Sequence, residues 1–198
     1  MSNAAIVTGA DDRARCAWVG TDAEYQRYHD EEWGTPLHGD RALYEKMSLE
    51  GFQAGLSWIT ILRKRPAFRE AFAGFDPEIV AQFSDADVER LMQNAGIVRN
   101  RLKIQAAMSN ARLVLEMKPG ELDALMWSFA PAQRAYPLTT LAEVPAVTPE
   151  SEAMSHALRK RGFRFVGATT MYALMQSSGM VDDHVAACWR AHAPRSTA

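Results

Sequence analysis

An all-α fold is predicted for this chain by three observations. Apolar residues recur at helical spacing in most windows, helix start and stop residues bracket those windows, and strand signals hardly occur. The 198 residues, 47% hydrophobic and 23% charged, suffice for one compact domain with an ordinary core.

The elements follow in order. Residues 1–13, MSNAAIVTGADDR, read as a flexible tail, leaving 14–198 as a single domain. Thr21-Asp22-Ala23-Glu24 has capping-box form and opens a helix to Trp33, which Gly34 and Pro36 stop. Asp40 caps one long helix through DRALYEKMSLEGFQAGLSWITIL, and Pro66 and Pro77 sit where first-turn prolines belong. Ser84 opens SDADVERLMQNAG, with Val88, Leu91 and Met92 on one face and Gly96 as the stop. RNRLKIQAAMSNARLVLEM follows at once, and TPESEAMSHALRKRG, GATTMYALMQSSG and DDHVAACWRAH complete the set. No repeat or low-complexity linker interrupts them.

Composition excludes some classes. No run approaches the roughly 18 apolar residues of a membrane span, and the start lacks a basic, then apolar, signal segment, so the expectation is a cytoplasmic protein without membrane attachment. A net charge of −2 and a pI near 6.2 give no global attraction to phosphate. Contact with nucleic acid must then be local, at Arg63-Lys64-Arg65, at Arg99, Arg101 and Lys103, or at Arg159-Lys160-Arg161. Solvated helix ends account for each cluster taken alone.

Three features carry chemistry. In DDHVAAC, His184 and Cys188 lie four apart, which on a helix puts a nitrogen and a sulfur on one face. The only other cysteine, Cys16, is followed by His29. Two thiolates and two imidazoles are a zinc set, and four protein ligands leave no place for a water, so such a zinc is structural and ties the chain's ends together. A Cys16–Cys188 disulfide is the rival, disfavoured by a reducing cytoplasm, and chance placement of small buried cysteines also satisfies the spacing. The second feature is LMQNAGIVRNRLK, a helical hairpin whose turn offers backbone N–H groups to phosphate, reinforced by Arg99, Arg101 and Lys103. An ordinary helix connection reads the same way. The third is EGFQAGLSW, where Glu50 and Trp58 are eight apart, close to one face. Stacking plus a hydrogen-bond acceptor is what holding a nucleobase requires, and Trp18, Tyr25, Tyr28 and Trp33 add aromatics. Core packing is the plainer account of the same rings.

In order along the chain, RCAWVG, YHDEEWGTP, LEGFQAGLSWITILRKR, DVERLMQNAGIVRNRLKIQAAMSNAR and LRKRGFRFVGATTMYALMQSSGMVDDHVAAC resemble the DNA-3-methyladenine glycosylase I family, over residues 15–188. That resemblance implies a helix-hairpin-helix glycosylase domain, with the hairpin about 84–117 and a zinc site joining the N- and C-terminal segments. It implies Cys16, His29, His184 and Cys188 as ligands of a structural Zn2+. Glu50 is implied as the acid that reads the methylated base, Trp58 as its stacking partner, and Tyr28, Trp18 and Tyr25 as pocket walls. Gly96, Val98, Arg99, Arg101 and Lys103 are the implied grip on the backbone of alkylated double-stranded DNA. The implied activity is that of a monofunctional monomer that flips out 3-methyladenine and hydrolyses its glycosidic bond without nicking the strand. Asp182 and Asp183 are not expected to catalyse; Asp182 suits capping of the last helix. The sequence departs from the family at Trp189-Arg190-Ala191-His192, where further cysteines can stand, and His192 is a weaker alternate ligand. His38 and His156 receive no role. A zinc-stapled DNA-binding module without catalysis is the alternative, and a zinc hydrolase a third that the full ligand set argues against.

Overall fold

A computed structural model describes residues 5–191 of the chain. Nine helices of at least one turn make up most of the described residues, in the order α1 Ala23–Glu31, α2 Asp40–Gln53, α3 Trp58–Ala71, α4 Pro77–Val80, α5 Asp85–Gln93, α6 Arg101–Glu116, α7 Glu121–Trp127, α8 Pro149–Lys160 and α9 Ala168–Ser177. The expected helical class holds. One part of the expected tail does not, because Ile6–Thr8 (β1) pairs antiparallel with Ala14–Cys16 (β2), Ile6 standing opposite Cys16. The hairpin brings residues 6–8 onto the molecule's body and fixes Cys16 there.

Local chemistry explains most boundaries. The Asp22 carboxylate accepts the Tyr25 N–H at 2.9 Å, so the cap of α1 is Asp22 and not Thr21. The long helix expected from Asp40 is two helices. α2 ends at Gln53, residues 54–57 turn the chain with Gly55 at φ +86°, and Ser57 precedes α3. Pro66 lies inside α3 rather than in a first turn, and the helix runs on without the bond a residue-66 N–H would give to Leu62. Pro77 does occupy a first turn, after Asp76. Ser84 with Asp87, and Thr148 with Ser151, form reciprocal caps for α5 and α8.

The segment 182–191 is not a helix. Asp182 Oδ1 accepts the His184 N–H at 3.0 Å, closing a side-chain turn in place of the expected helix cap, and Cys188 N–H donates to Val185 O at 2.8 Å. Val185 also bridges to Leu138. His192 lies outside the described residues.

Two apolar clusters follow. The larger packs α2 against α3, α6, α7 and α9, with α8 on α9, around Tyr44, Phe52, Phe68, Phe72, Ile104 and Tyr172. The smaller gathers Cys16, Tyr28, Trp33, Leu62, Val185 and Cys188 from both ends of the chain. At Gly179, φ +71°, a Cβ would come within 2.6 Å of Pro36 N and Thr35 C, so only glycine lets the end of α9 lie against residues 34–36.

Candidate functional site

Glu50 lies on α2, three residues before Gln53, and both face a cavity of about 320 Å3. α1 supplies Tyr25 and Tyr28, the turn before it Trp18, the start of α3 Trp58, and α9 Gln176 and Ser177. The structure thus brings Glu50, Trp58, Tyr28, Trp18 and Tyr25 to one cavity. The rings touch in series: Trp18–Tyr25 centroids are 4.8 Å apart, Tyr25–Tyr28 6.3 Å and Tyr28–Trp58 5.6 Å.

Glu50 is 2% exposed, and its Oε1 accepts the Ser177 hydroxyl at 2.8 Å. Burial lifts its carboxyl to about 7, opposed by the positive charge of Lys46 and by that hydrogen bond. Burial, then the Glu50 charge, push the Tyr25 phenol to about 12 and the Tyr28 phenol well above its ordinary value, so both remain neutral. The cavity therefore presents Glu50 against neutral aromatic walls.

The sequence did not point to Gln53, Gln176, Ser177 or Asp183 as lining residues. Gln53 was recoverable from its i+3 relation to Glu50. The others are brought by α9 and the loop after it, for which no local pattern speaks. Asp183 faces the cavity, but Oδ2 accepts Tyr172 Oη–H at 2.6 Å and Gln176 Nε2–H at 2.8 Å, and Oδ1 is held by Arg134. Both its oxygens are occupied, as befits a structural carboxylate.

Beside this cavity, Cys16, His29, His184 and Cys188 are all buried, with one ligand atom from each lying within 4.8 Å of the others. Cys188 Sγ is 3.4 Å from His29 Nε2 and 3.6 Å from His184 Nδ1, and Cys16 Sγ is 3.8 Å from His184 Nδ1. Metal–sulfur and metal–nitrogen bonds of about 2.3 and 2.0–2.1 Å at tetrahedral angles set ligand atoms roughly 3.3–3.8 Å apart, so the quartet fits a four-coordinate metal ion. Both cysteines are free thiols, not a disulfide. The neighbouring Cys188, then burial, hold the Cys16 thiol well above its ordinary value, while Cys16 and the imidazoles of His184 and His29 hold Cys188 well below it. The second nitrogen of His29, Nδ1, meets Asp30 Oδ1 at 2.8 Å, and Asp30 is itself fixed by Arg15 and by Trp189 Nε1–H. A carboxylate behind an imidazole orients it for a metal. The turn of 185–188, not a helix, is what brings His184 and Cys188 together.

The α5–α6 connection departs from expectation in two places. Gly96 N–H donates to Asn94 Oδ1 at 2.8 Å and is not free, and a Cβ at 96 would lie 2.9 Å from Ala67 Cβ. Lys103, expected on the surface for phosphate, is 9% exposed and donates to Phe52 O at 2.9 Å and Ala54 O at 2.6 Å. Its ammonium caps the C-terminal carbonyls of α2, where a cation is favoured, so it is not available to DNA. Val98 is half-buried and Arg99 exposed, and exposed Arg101 pairs with Glu89 at 2.7 and 3.0 Å. Leu56, 43% exposed, stands at the tip of the α2–α3 turn between two lining residues, Gln53 and Trp58.

Residues 18–191 match the family model described as methyladenine glycosylase. The chain is 51% identical to DNA-3-methyladenine glycosylase 1 of Escherichia coli (strain K12), over 88% of this chain and 95% of that one. It superposes on a crystal structure of 3-methyladenine DNA glycosylase I with a TM-score of 0.84 at 48% identity, covering 88% and 98% of the two chains. A Staphylococcus aureus 3-methyladenine DNA glycosylase I, solved to explain 3-methyladenine recognition, superposes with a TM-score of 0.82 at 34% identity, covering 88% and 94%. The shared sequence and the shared helical frame place this chain in the methyladenine glycosylase family.

Proposed function

We propose that the protein is a monofunctional DNA glycosylase that flips 3-methyladenine out of alkylated double-stranded DNA and hydrolyses its N-glycosidic bond, the first step of base excision repair. The observation that carries this reading is Glu50, buried at the floor of a cavity walled by Tyr28, Trp58, Trp18 and Tyr25. A purine alkylated at N3 is cationic within the nucleotide. Its glycosidic bond is already weak, because the bonding electrons neutralise the ring as they leave with N9. The pocket's task is then to hold a cation: ring faces attract it, and an ionised Glu50 both pairs with it and accepts from its exposed edge. Adenine lacks the charge and gains less. Flipping costs a few kcal/mol and least for a damaged base, so selection begins before entry.

No lysine lines the cavity among the described residues, and Lys103 is committed to α2, which favours release without a covalent enzyme–sugar intermediate. The α5–α6 turn acts as the hairpin on the DNA backbone through Arg99, Arg101 and the N–H groups that a helix's first turn leaves free. Leu56, apolar and exposed beside the pocket mouth, is suited to fill the space left by the flipped base. Zn2+ is the ion we assign to the Cys/His quartet, with a structural role, since all four positions are taken by protein. Buried thiols free of a disulfide are what a reducing compartment maintains, which supports a cytoplasmic location; no helix among the described residues is long and apolar enough to cross a membrane. Cavity and quartet are each complete within one chain, consistent with action as a monomer.

Release of free 3-methyladenine from methylated duplex DNA tests the reading. The protein should exceed uncatalysed release, with Glu50→Gln at least 100-fold slower, on the order of 3 kcal/mol of lost charge pairing. Binding to methylated DNA without any release above the uncatalysed rate would favour a DNA-binding module instead.

A further inference from the structure

Lys46 stands one turn before Glu50 on α2 and is 8% exposed. Its Nζ lies 5.3 Å from the Tyr28 ring centroid and 5.1 Å from that of Trp58, the two rings that meet Glu50 in the cavity. Lys46 itself lines not that cavity but a neighbouring one of about 230 Å3, and Ser177, the donor to Glu50, borders both. The ammonium therefore sits behind the aromatic wall.

The surrounding charges are already committed. On the Lys46 side, Arg65 of α3 pairs with Glu32 at 2.5 Å, and Arg69 of α3 with Glu45 of α2 at 2.7 Å. On the Glu50 side, α1 offers the neutral phenols of Tyr25 and Tyr28, α9 the Ser177 hydroxyl, and the loop after α9 brings Asp183, held by Arg134. Glu50, Glu32 and Glu45 act on Lys46 through space, without a hydrogen bond. A buried cation without a hydrogen-bonded counter-charge is costly, and burial pulls the Lys46 ammonium below its ordinary value, the charge of Glu50 acting first against that.

We propose that Lys46 is a positioning residue for the base pocket: its ammonium, held against the Tyr28 and Trp58 rings one turn before Glu50, keeps Glu50 ionised and sets the pH above which a cationic base is accepted. The inference rests on the reading of Glu50 as the group that receives the base. Since the same ammonium already lies against both rings, it also weakens their attraction for a second cation. Lys46 thus favours entry through Glu50 and opposes it through the rings, and the first effect rules only where Glu50 would otherwise be protonated.

The pH dependence of kcat/KM for 3-methyladenine release separates these effects, because its acid limb reports the free enzyme's essential groups. In the wild type the limb should lie near the Glu50 carboxyl, about 7. Lys46→Met should move it up by about one pH unit, so that the loss at pH 6 exceeds the loss at pH 9 by roughly tenfold. Lys46→Arg should restore the limb. In parallel, carboxyl 13C NMR of Glu50, assigned by its disappearance in Glu50→Gln, should titrate at higher pH in Lys46→Met. A loss by one common factor at every pH, or Glu50 titrating at the same pH in both proteins, overturns the proposal, and either is distinct from failure to fold, which the spectrum reports. If the wild type releases no base while Glu50 still shifts, the glycosylase reading falls and the Lys46–Glu50 coupling stands.

Discussion

At Glu50, burial sets a conflict between folding and function. A carboxyl raised from 4.5 to about 7 in the folded state binds a proton that the unfolded chain gives up between those values. Stability from this group is therefore fully present below about pH 4.5 and is lost as pH rises through about 7, a difference of about 3 kcal/mol. Glu50→Gln, which keeps the shape and cannot ionise, should raise Tm at pH 8 by several degrees more than at pH 5, as scanning calorimetry would record. Equal shifts at the two pH values would mean that the carboxylate bears no burial penalty. The residue types at the pocket were legible from their chemistry, but the eight-residue spacing of Glu50 and Trp58 along one helix is not what unites them, since they stand on α2 and α3 with the turn of 54–57 between. Lys46 was not legible, since a lysine inside an amphipathic helix reads as a solvated face until the packing of α1 and α3 over it is known.

Among the elements, α2 does the most. It carries Glu50 and Gln53 into the pocket and Lys46 into the neighbouring cavity behind the aromatic wall, and it ends under the Lys103 ammonium. Arg99 and Lys103, four apart in sequence, consequently make opposite predictions. Arg99→Ala should lower the slope of log binding constant against log salt by about one on any duplex, with Tm little altered. Lys103→Met should leave that slope alone and lower Tm by a few degrees, for a lost cap on the order of 1–2 kcal/mol. Fluorescence anisotropy across a salt series reads the first and thermal melting the second; a reduced slope for Lys103→Met would return that residue to the DNA. Helix existence was clear from apolar spacing, yet one long α2–α3 helix was expected. An apolar run with period 3.6 continues across residues 54–57, and only Gly55 and Ser57 hint at the break. The final segment failed differently: DDHVAAC keeps its ligands together by a turn, and i, i+4 spacing does not distinguish a turn from a helix.

For the whole molecule, the Cys/His quartet joins three distant stretches: β2, α1 and the segment after α9. Tyr28 adjoins His29 and Asp183 adjoins His184, so the cavity wall and the Cys/His quartet are consecutive residues on the same backbone. Metal analysis should find one ion per chain and a lower content in Cys188→Ser, with Tm falling by on the order of 10 °C and base release falling alongside. Full stoichiometry in that variant would remove Cys188 from the site. Spacing and the family resemblance pointed to these four residues but left a disulfide and chance placement as rivals, and the fold brings the four side chains together without a disulfide. The β1–β2 hairpin that delivers Cys16 was not legible, since strands of three residues carry too little pattern to read.

Agents that methylate DNA also attack soft sulfur, and thiolates most of all. The chain's only two cysteines are 0% and 4% exposed. Sulfur that such reagents cannot reach is not consumed by them, whatever its ionisation. The protein can thus work amid the electrophiles whose lesions it repairs, its two thiols sealed inside the fold.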